Sequence, residues 1–355
     1  MPTLSQISEL IKQEARNAGF DLAGIAGVHD SPELDYFSEW IASGYGGEMN
    51  YLQARDDSGQ LKRASLRRSA PWAKSVIVCA INYNSAQPYS TAFIDRDRGW
   101  ISRYAWTRED YHSAVTRRLR TFESRLRDHL SDPIQTCCYV DTGPLVERVY
   151  AKYAGVGWIG KNTCILNQKL GSWLFLGVIL TSLELQPDLP APDRCGTCTR
   201  CLDACPTDAF LGPYQLDSTK CISYLTIEKR GDIPEDLRAG IGRHVFGCDI
   251  CQDVCPWNRK APVSKAEEFR ERPELVNPAL DWLAELASDQ FATTFRGSPV
   301  KRTKLKGLKR NAAIAMGNSG NPSFVRPLRS LAEDAEASVS EAAIWAIAKL
   351  QKKEV

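Results

Sequence analysis

Apolar side chains recur at helical spacing at the start of the chain. Leu4, Ile7 and Ile11 lie three and four residues apart with mostly polar residues between them, and Gly19 follows. Glycine commonly ends helices, so we predict an amphipathic helix over residues 4–18. The next run, FDLAGIAGV at residues 20–28, predicts a strand.

Continuous apolar runs predict the central elements of the first region. SVIVCAINY at residues 75–83 predicts a buried strand and makes Cys79 a core residue rather than a ligand. The other predictions are a loop or broken helix at 43–52, a long helix at 110–130, a strand ending at Val140, a helix from Pro144 to about Tyr153, and a buried strand and turn at 171–185. Together they predict an α/β or α+β domain over residues 1–185.

The rest of the chain changes character after a proline-rich linker at residues 186–193. A cysteine-rich domain is predicted over 194–262. Alanine-rich apolar patterns between 308 and 350 predict three helices resembling HEAT repeats, within a helical region at 270–355. The predicted fold class is therefore α+β, with an α/β first domain, a cysteine-rich second domain and a HEAT-like end.

Length, charge and cysteine content limit the number of domains, the partners and the cellular compartment that we expect. The length of 355 residues exceeds what one core usually supports, and the net charge of +2 is too small to indicate a polyanionic partner by itself. Twelve cysteines in a chain this long indicate a reducing compartment. The first residues lack a secretory pattern, and no apolar run is long enough to span a bilayer, which predicts a cytoplasmic protein without a membrane partner.

Eight of the cysteines follow the spacing of ferredoxin-type iron–sulfur sites. The first run reads CGTCTRCLDACP, the second reads CDICQDVCP, and Cys221 stands between them. In such runs the cysteine after the longer three-residue step ligates the other cluster. We therefore assign one four-iron cluster to Cys195, Cys198, Cys201 and Cys255, and the second to Cys205, Cys221, Cys248 and Cys251.

Zinc sites and disulfides are the alternative uses of these cysteines. Paired C-x2-C motifs also make zinc sites, but this spacing with proline after the last cysteine of each run is not a usual zinc arrangement. A disulfide framework fits less well still. Cys137, Cys138 and Cys164 could compete as ligands, although ordinary burial is the expected role for all three.

Asp141 lies at the end of a predicted strand, just before Thr-Gly-Pro. An acid there can project into a cleft, although such a residue more often caps the next helix. Downstream, Gly155, Gly157 and Gly160 match G-x-G-x-x-G, but a helix precedes them, so the dinucleotide-binding context is missing. We interpret them as a turn that lets the backbone approach a ligand closely.

Two basic regions could bind phosphates or a planar ligand. Between residues 96 and 111, arginines alternate with aromatic residues, which suits stacking and charge pairing as well as simple packing. Between 296 and 310, seven basic residues occur without an acid. The basic stretch at 62–68 is interpreted as a solvated face.

Two clusters move electrons but need an acceptor. A reductase with a second redox centre and a bare ferredoxin-type carrier are the two general possibilities. Most of the chain lies outside the cluster segment, which favours the reductase.

Five segments of the chain together resemble the epoxyqueuosine reductases. They are VDTGPLVERVYAKYAGVGWIGKNTCIL, GSWLFLGVIL, CGTCTRCLDACPTDAF, CISYLTIEKRG and FGCDICQDVCPWN. The resemblance implies a cobalamin-binding first domain, two 4Fe-4S clusters that reduce base-off cobalamin to cobalt(I), and conversion of epoxyqueuosine to queuosine at the wobble position of tRNA. A related corrinoid enzyme of the reductive dehalogenase kind is the alternative, although such enzymes usually carry an export signal.

The resemblance also implies residue roles. Asp141 matches the aspartate of the V-D-T-G motif and would be the proton donor, so we expect burial that keeps it protonated. The implied corrin pocket comprises Arg63, Ser102, Asp141, Lys161, Asn162, Ile165, Ser172 and Ser223. Some relatives have a cysteine where Ser102 stands, so no cobalt-facing thiol is expected there.

The expected partners follow from the same resemblance. They are a tRNA with a GUN anticodon carrying epoxyqueuosine and a low-potential electron donor of unknown identity, and the protein is expected to be a monomer. The candidate phosphate contacts are Lys229, Arg230, Arg302, Lys304, Lys309 and Arg310.

Overall fold

The computed structural model describes residues 3–129 and 133–352. The helices are α1 (Leu4–Asn17), α2 (Pro32–Ala42), α3 (Leu66–Ser69), α4 (Tyr111–His129), α5 (Glu147–Tyr153), α6 (Arg200–Asp203), α7 (Ile222–Ile227), α8 (Glu235–Ile241), α9 (Ile250–Asp253), α10 (Leu280–Glu285), α11 (Ser288–Thr294), α12 (Lys304–Ser319), α13 (Val325–Ala332) and α14 (Ala337–Gln351). The strands are β1 (Leu22–Gly27), β2 (Ser75–Asn82), β3 (Trp100–Ile101), β4 (Thr136–Tyr139), β5 (Trp158–Ile159), β6 (Ile165–Leu166), β7 (Leu174–Thr181), β8 (Phe210–Gly212), β9 (Gln215–Leu216) and β10 (His244–Phe246).

The elements predicted from the longest apolar patterns are confirmed. Helix α1 begins after Thr3, whose side chain accepts a hydrogen bond from the amide of Gln6. Helix α4 covers the predicted long helix up to His129, and the predicted residue 130 lies outside the described residues. The helix expected from Pro144 begins three residues later, as α5.

A four-stranded sheet forms the centre of the first region, in the order β1-β2-β7-β4. All its neighbouring strands are antiparallel. Every residue of β2 is buried, with Ile77 packed among residues of α1 and α4 and Val78 packed among residues of α5. Because parallel crossovers are missing from this sheet, the region is α+β, and the α/β description of this domain is wrong.

A second core joins distant parts of the chain. Strand β3 pairs in parallel with β10, and Trp100 packs in one cluster with Phe246 and Ile314. Residues near 100 were predicted to belong to the first domain, yet their core is shared with the cysteine-rich and C-terminal regions. The predicted division of the chain into three consecutive domains therefore does not describe this segment.

The C-terminal helices pack closely. Gly317 of α12 lies against α14, where an added Cβ would come within 2.8 Å of the Ala346 Cα atom. Both helices bury alanine-rich faces, as the sequence predicted. Their likeness to HEAT repeats stays a prediction.

The glycine-rich turn after α5 is confirmed, and its glycines lie close to other parts of the chain. Side chains at Gly157 and Gly160 would collide with Leu166, and a side chain at Gly155 would come within 2.9 Å of the Leu189 carbonyl oxygen. The close approach that the structure shows is to the chain's own backbone and side chains, and the approach of a ligand to this turn stays a prediction.

Candidate active site

The loop between β4 and α5, residues 140–146, is called the acid loop here, and it holds Asp141 in an unusual conformation. Asp141 has a φ of 58°, in the left-handed region that non-glycine residues seldom adopt. Its carboxylate accepts a hydrogen bond from the Tyr111 hydroxyl. The His112 Nε2 atom lies 3.6 Å from the same carboxylate oxygen. The loop is thus fixed against the start of α4.

Two further side chains hold the acid loop from behind. The Asp141 amide donates to the Glu147 carboxylate at 2.7 Å, and the Arg63 guanidinium donates to the Asp141 carbonyl oxygen at 3.1 Å. Arg63 also donates to the Leu145 carbonyl oxygen at 3.2 Å. Burial, with the nearby Asp141 carboxylate, raises the pKa of Glu147 well above its ordinary value. Glu147 is therefore a buried acid beside Asp141 whose charged form is disfavoured.

Asp141 itself is not buried. Its side chain is 49% exposed, so the prediction of burial is wrong. Nor does it cap the next helix, because α5 begins after Val146 without a side-chain cap. Sequence reasoning missed Glu147, whose signal was its place six residues after Asp141 in the same motif. An exposed carboxylate with a buried acid behind it can exchange protons with a ligand in front of it.

The structure places the four cysteines assigned to the first cluster around one cavity. A cavity of about 230 Å³ is lined by Cys195, Cys198, Cys201 and Cys255. Burial and the neighbouring thiols raise the pKa of Cys201 to about 11. The donor set and the enclosed space fit a cluster held by four thiolates.

The second set also converges. Cys248 lies close to Cys221 and Cys205, and Cys251 lies close to Cys248 and Cys221. Burial raises the pKa of Cys248 well above its ordinary value. A fifth thiol, Cys164, is hydrogen-bonded to Cys251. Competition by Cys164 for a place in the second set therefore stays open.

The remaining cysteines lie in and beside the sheet. Cys79 is fully buried in the sheet, as predicted. The Cys138 sulfur lies 3.8 Å from a Glu123 carboxylate oxygen, and burial raises the pKa of Cys138 to about 12. Cys137 is half-buried on the same strand. None of the three is among the thiols grouped in the two sets.

Several corrin-pocket candidates lie at the seam between the sheet domain and the second cysteine run. The Ser102 hydroxyl donates to Asp249 at 2.5 Å, and the Ser172 hydroxyl donates to Gln252 at 2.8 Å. The Asn162 amide contacts the Cys251 carbonyl oxygen at 3.5 Å. Ser102, Ser172 and Asn162 are all buried, so hydrogen bonds from both sides order the seam.

The other candidates are spread around this seam. The Lys161 ammonium donates to the carbonyl oxygens of Gly196 and Cys198, at 2.6 and 3.0 Å, in the first cysteine run. Ile165 is buried and Ser223 is half-buried on α7. Arg63 lies apart from them, at the acid loop.

Aromatic side chains connect the second cysteine run to the acid loop. Phe246, two residues before Cys248, has its ring centroid 6.0 Å from that of Tyr104, which lies 5.9 Å from Tyr111. Tyr104 is within electrostatic range of both Asp141 and Asp249, and burial raises its pKa. The acid loop and the second cysteine set therefore border one region. Sequence reasoning missed Tyr104 individually, although it lies in the predicted aromatic and basic segment.

The buried members of that segment are packing residues. The Arg103 guanidinium lies 5.0 Å from the Trp106 ring centroid and 5.1 Å from that of Trp173, and donates to the Ser85 carbonyl oxygen at 2.7 Å. Arg103 is 1% exposed. The packing alternative therefore holds for this arginine, and the open question applies only to the more exposed ones.

The prediction that Arg310 contacts phosphates is wrong. Arg310 is 2% exposed, and its guanidinium donates to the carbonyl oxygens of Lys229, Gly231 and Leu225 at 2.5–3.0 Å. Burial lowers its pKa to about 10, so it stays charged at neutral pH. Its charge serves to join α12 to the cysteine-rich region.

The other five phosphate candidates reach the surface. Arg302 is paired with Glu228 at 2.8 Å, and Lys309 lies 3.7 Å from Asp334. The remaining three are Lys229, paired with Glu48, and the exposed Arg230 and Lys304.

Comparison with known proteins agrees with this arrangement. A family model for a 4Fe-4S double cluster binding domain matches residues 194–258, and one described as epoxyqueuosine reductase QueG, DUF1730, matches residues 63–142. The curated epoxyqueuosine reductase of Xanthomonas campestris pv. campestris is 37% identical over 352 residues, covering 98% of this chain and 97% of the relative. The chain belongs to the epoxyqueuosine reductase family.

Further relatives and solved structures match this chain over nearly its whole length. The Pseudomonas aeruginosa epoxyqueuosine reductase is 39% identical over 337 residues, covering 93% of this chain and 90% of the relative. A crystal structure of epoxyqueuosine reductase with a tRNA-Tyr epoxyqueuosine-modified stem loop matches with a TM-score of 0.88 and 31% identity, over 98% of this chain and 91% of that one. A Bacillus subtilis epoxyqueuosine reductase with its aspartate-bearing catalytic loop swung out of the active site matches with a TM-score of 0.87, 31% identity and the same coverage.

Membership identifies the protein as an oxidoreductase with a 4Fe-4S domain. Across residues 3–129 and 133–352, no helix is long and apolar enough to cross a membrane.

Proposed function

We propose that this protein reduces epoxyqueuosine to queuosine at the wobble position of tRNA, with Asp141 as the proton donor. The observation that carries the proposal is the convergence of the acid loop and the second cysteine set on one region, through Tyr111, Tyr104 and Phe246. Removing the epoxide oxygen as water leaves a carbon–carbon double bond and consumes two electrons and two protons. The site must therefore supply both electrons and protons at one place.

The cysteine sets are proposed as the electron path. Cys195, Cys198, Cys201 and Cys255 would hold one 4Fe-4S cluster, and Cys205, Cys221, Cys248 and Cys251 would hold the other. An external low-potential donor would feed them one electron at a time.

Cobalamin is the proposed second cofactor, and the seam has the chemistry to hold it. Ser102, Asn162, Ser172 and Ser223 offer hydroxyl and amide groups, Ile165 an apolar surface, and Lys161 and Arg63 positive charge. A corrin between these residues and the acid loop would touch both the second cysteine run and Asp141. When bound in its base-off form and reduced, cobalamin supplies the strongly nucleophilic metal centre needed to open an epoxide.

Asp141 is placed to deliver a proton to the oxygen that leaves. Tyr111 orients its carboxyl group, and Arg63 and Glu147 hold its backbone. Burial and the Asp141 carboxylate raise the pKa of Glu147, the acid that lies behind the loop, well above its ordinary value. The B. subtilis structure, with its catalytic loop swung out, supports the idea that such a loop moves between turnovers.

The RNA is proposed to reach this site across the C-terminal basic surface. Lys229, Arg230, Arg302, Lys304 and Lys309 would contact phosphates, and the relative solved with a modified stem loop supports an RNA substrate. A monomer in the cytoplasm is the expected form.

The test is a reaction under anaerobic conditions. The reconstituted protein is incubated with a low-potential reductant and tRNA carrying epoxyqueuosine, with and without cobalamin, and the nucleosides are analysed by mass. Loss of one oxygen only when cobalamin is present supports the proposal. No loss, in protein with full iron content and bound cobalamin, would instead favour another corrinoid reductase on the same scaffold.

A further inference from the structure

Tyr51 is an exposed aromatic residue within electrostatic range of Arg63, and it has no role in the proposed reaction. Tyr51 lies in a 3-10 turn, Asn50–Gln53, and is 46% exposed. The Arg302 guanidinium lies 5.3 Å from the centre of the Tyr51 ring. Two segments some 250 positions apart in the printed sequence thus meet in one stacked pair.

The pair is held in place by a shared acid. Glu228, next to the end of α7, forms an ion pair with Arg302 at 2.8 Å and accepts a weak hydrogen bond from the Tyr51 hydroxyl at 3.5 Å. The guanidinium and the ring are therefore ordered together before any ligand binds. An ordered planar group that remains half-exposed loses little conformational entropy when a second planar group stacks on it.

The pair also lies within electrostatic range of residues that contact or lead to Asp141. Arg302 is within electrostatic range of Tyr104 and Tyr111, the two rings that lead to Asp141. Tyr51 is within electrostatic range of Arg63, whose guanidinium donates to the Asp141 carbonyl oxygen. A polymer with one residue at Asp141 would therefore pass its adjacent residues close to the pair.

We propose that Tyr51 and Arg302 form a stacking platform for an unpaired nucleobase of the RNA, next to the nucleotide that reacts at Asp141. The inference rests on the proposed function and adds a base-stacking contact to it. A nucleobase stacks on an aromatic ring or on a guanidinium plane, and the positive charge of Arg302 also attracts the RNA backbone. Such a platform holds a loop nucleotide without reading its identity by hydrogen bonds.

The test compares variants by their affinity for an RNA stem loop. Tyr51→Ala removes the ring, Tyr51→Phe keeps the ring and removes the hydroxyl, and Trp282→Ala, an exposed aromatic on α10, is the matched control. Dissociation constants of the cobalamin-loaded, cluster-containing protein for a fluorescently labelled stem loop are measured by anisotropy. We expect Tyr51→Ala to weaken binding about tenfold or more. Tyr51→Phe should bind more tightly than Tyr51→Ala because it keeps the ring, and Trp282→Ala should bind as the wild type does.

A second arm locates the contact on the RNA. Stem loops with a single abasic site are compared, and one site beside the modified position should remove the difference between wild type and Tyr51→Ala. Arg302→Ala should also lower the dependence of affinity on salt concentration, whereas Tyr51→Ala should leave it unchanged because no charge is lost.

Two results would overturn the platform. One is wild-type affinity in Tyr51→Ala. The other is reduced cobalamin binding with unchanged RNA affinity of the loaded protein, which would make Tyr51 part of the corrin pocket. Wild-type turnover is measured in parallel, so that failure of the reaction itself is separated from failure of the stacking contact.

Discussion

Replacing Arg310 tests whether this arginine joins two regions or binds RNA. Arg310→Met keeps the apolar stem and removes the guanidinium, leaving the carbonyl oxygens of Lys229, Gly231 and Leu225 without that donor. Each unsatisfied buried group costs about 1–3 kcal/mol, and relaxation around the site recovers part of the sum. With three carbonyl oxygens affected and partial relaxation around them, we expect a loss of about 3–5 kcal/mol in the free energy of unfolding.

The assay is thermal unfolding followed by circular dichroism, together with stem-loop affinity below the transition. At roughly 2 °C per kcal/mol for a chain of this size, the midpoint of Arg310→Met should fall by about 6–10 °C. Arg329→Ala, an exposed arginine on α13, is the control and should unfold as the wild type does. A midpoint within a degree of wild type, with weakened RNA binding, would contradict the structural role and restore Arg310 as a phosphate contact.

The remaining predictions concern the clusters and the acid loop. Cys221→Ala should lower the iron content because it removes one ligand of the second set, and full iron content would refute that ligand assignment, whereas Cys79→Ala should keep its iron. Glu147→Gln should flatten the pH dependence of stability. The wild-type carboxyl binds a proton in the folded state where the unfolded chain releases it, so wild-type stability falls by about 1.4 kcal/mol per pH unit as pH rises from 4.5 toward the folded-state pKa. Urea unfolding at pH 5, 6 and 7 measures the difference between the two proteins, and parallel curves would count against a protonated Glu147.

The sequence predicted what depends on local pattern. The eight cysteines could be grouped by spacing alone because the three-residue step fixes which thiol crosses between sites. The buried strand at 75–83 and the helices of the C-terminal region followed from apolar periodicity in the same way. Asp141 stands out in the sequence because it follows a predicted strand just before Thr-Gly-Pro, whereas its role as the proton donor was implied only by the family resemblance.

What failed depends on distant packing. The pairing of β3 with β10 brings together residues more than a hundred positions apart, and no local pattern encodes it. The basic block at 296–310 could not reveal that Arg310 is buried while Arg302 is exposed and paired with Glu228, because that depends on what packs against this segment. The exposure of Asp141 likewise depends on Tyr111 and Glu147, which hold the loop from one side and leave the other open.

The role of Asp141 as the proton donor is tested by single-turnover reduction with the Asp141→Asn variant. The variant and the wild type, each with full iron content and bound cobalamin, are reduced anaerobically and mixed with tRNA carrying epoxyqueuosine, and the nucleosides are followed by mass over time. We expect Asp141→Asn to keep the cofactor content and RNA affinity of the wild type. Its rate of epoxyqueuosine reduction should fall by about 10²–10⁴-fold, because the amide of asparagine is too weak an acid to donate the proton. Wild-type rates in Asp141→Asn would contradict the assignment of Asp141 as the proton donor.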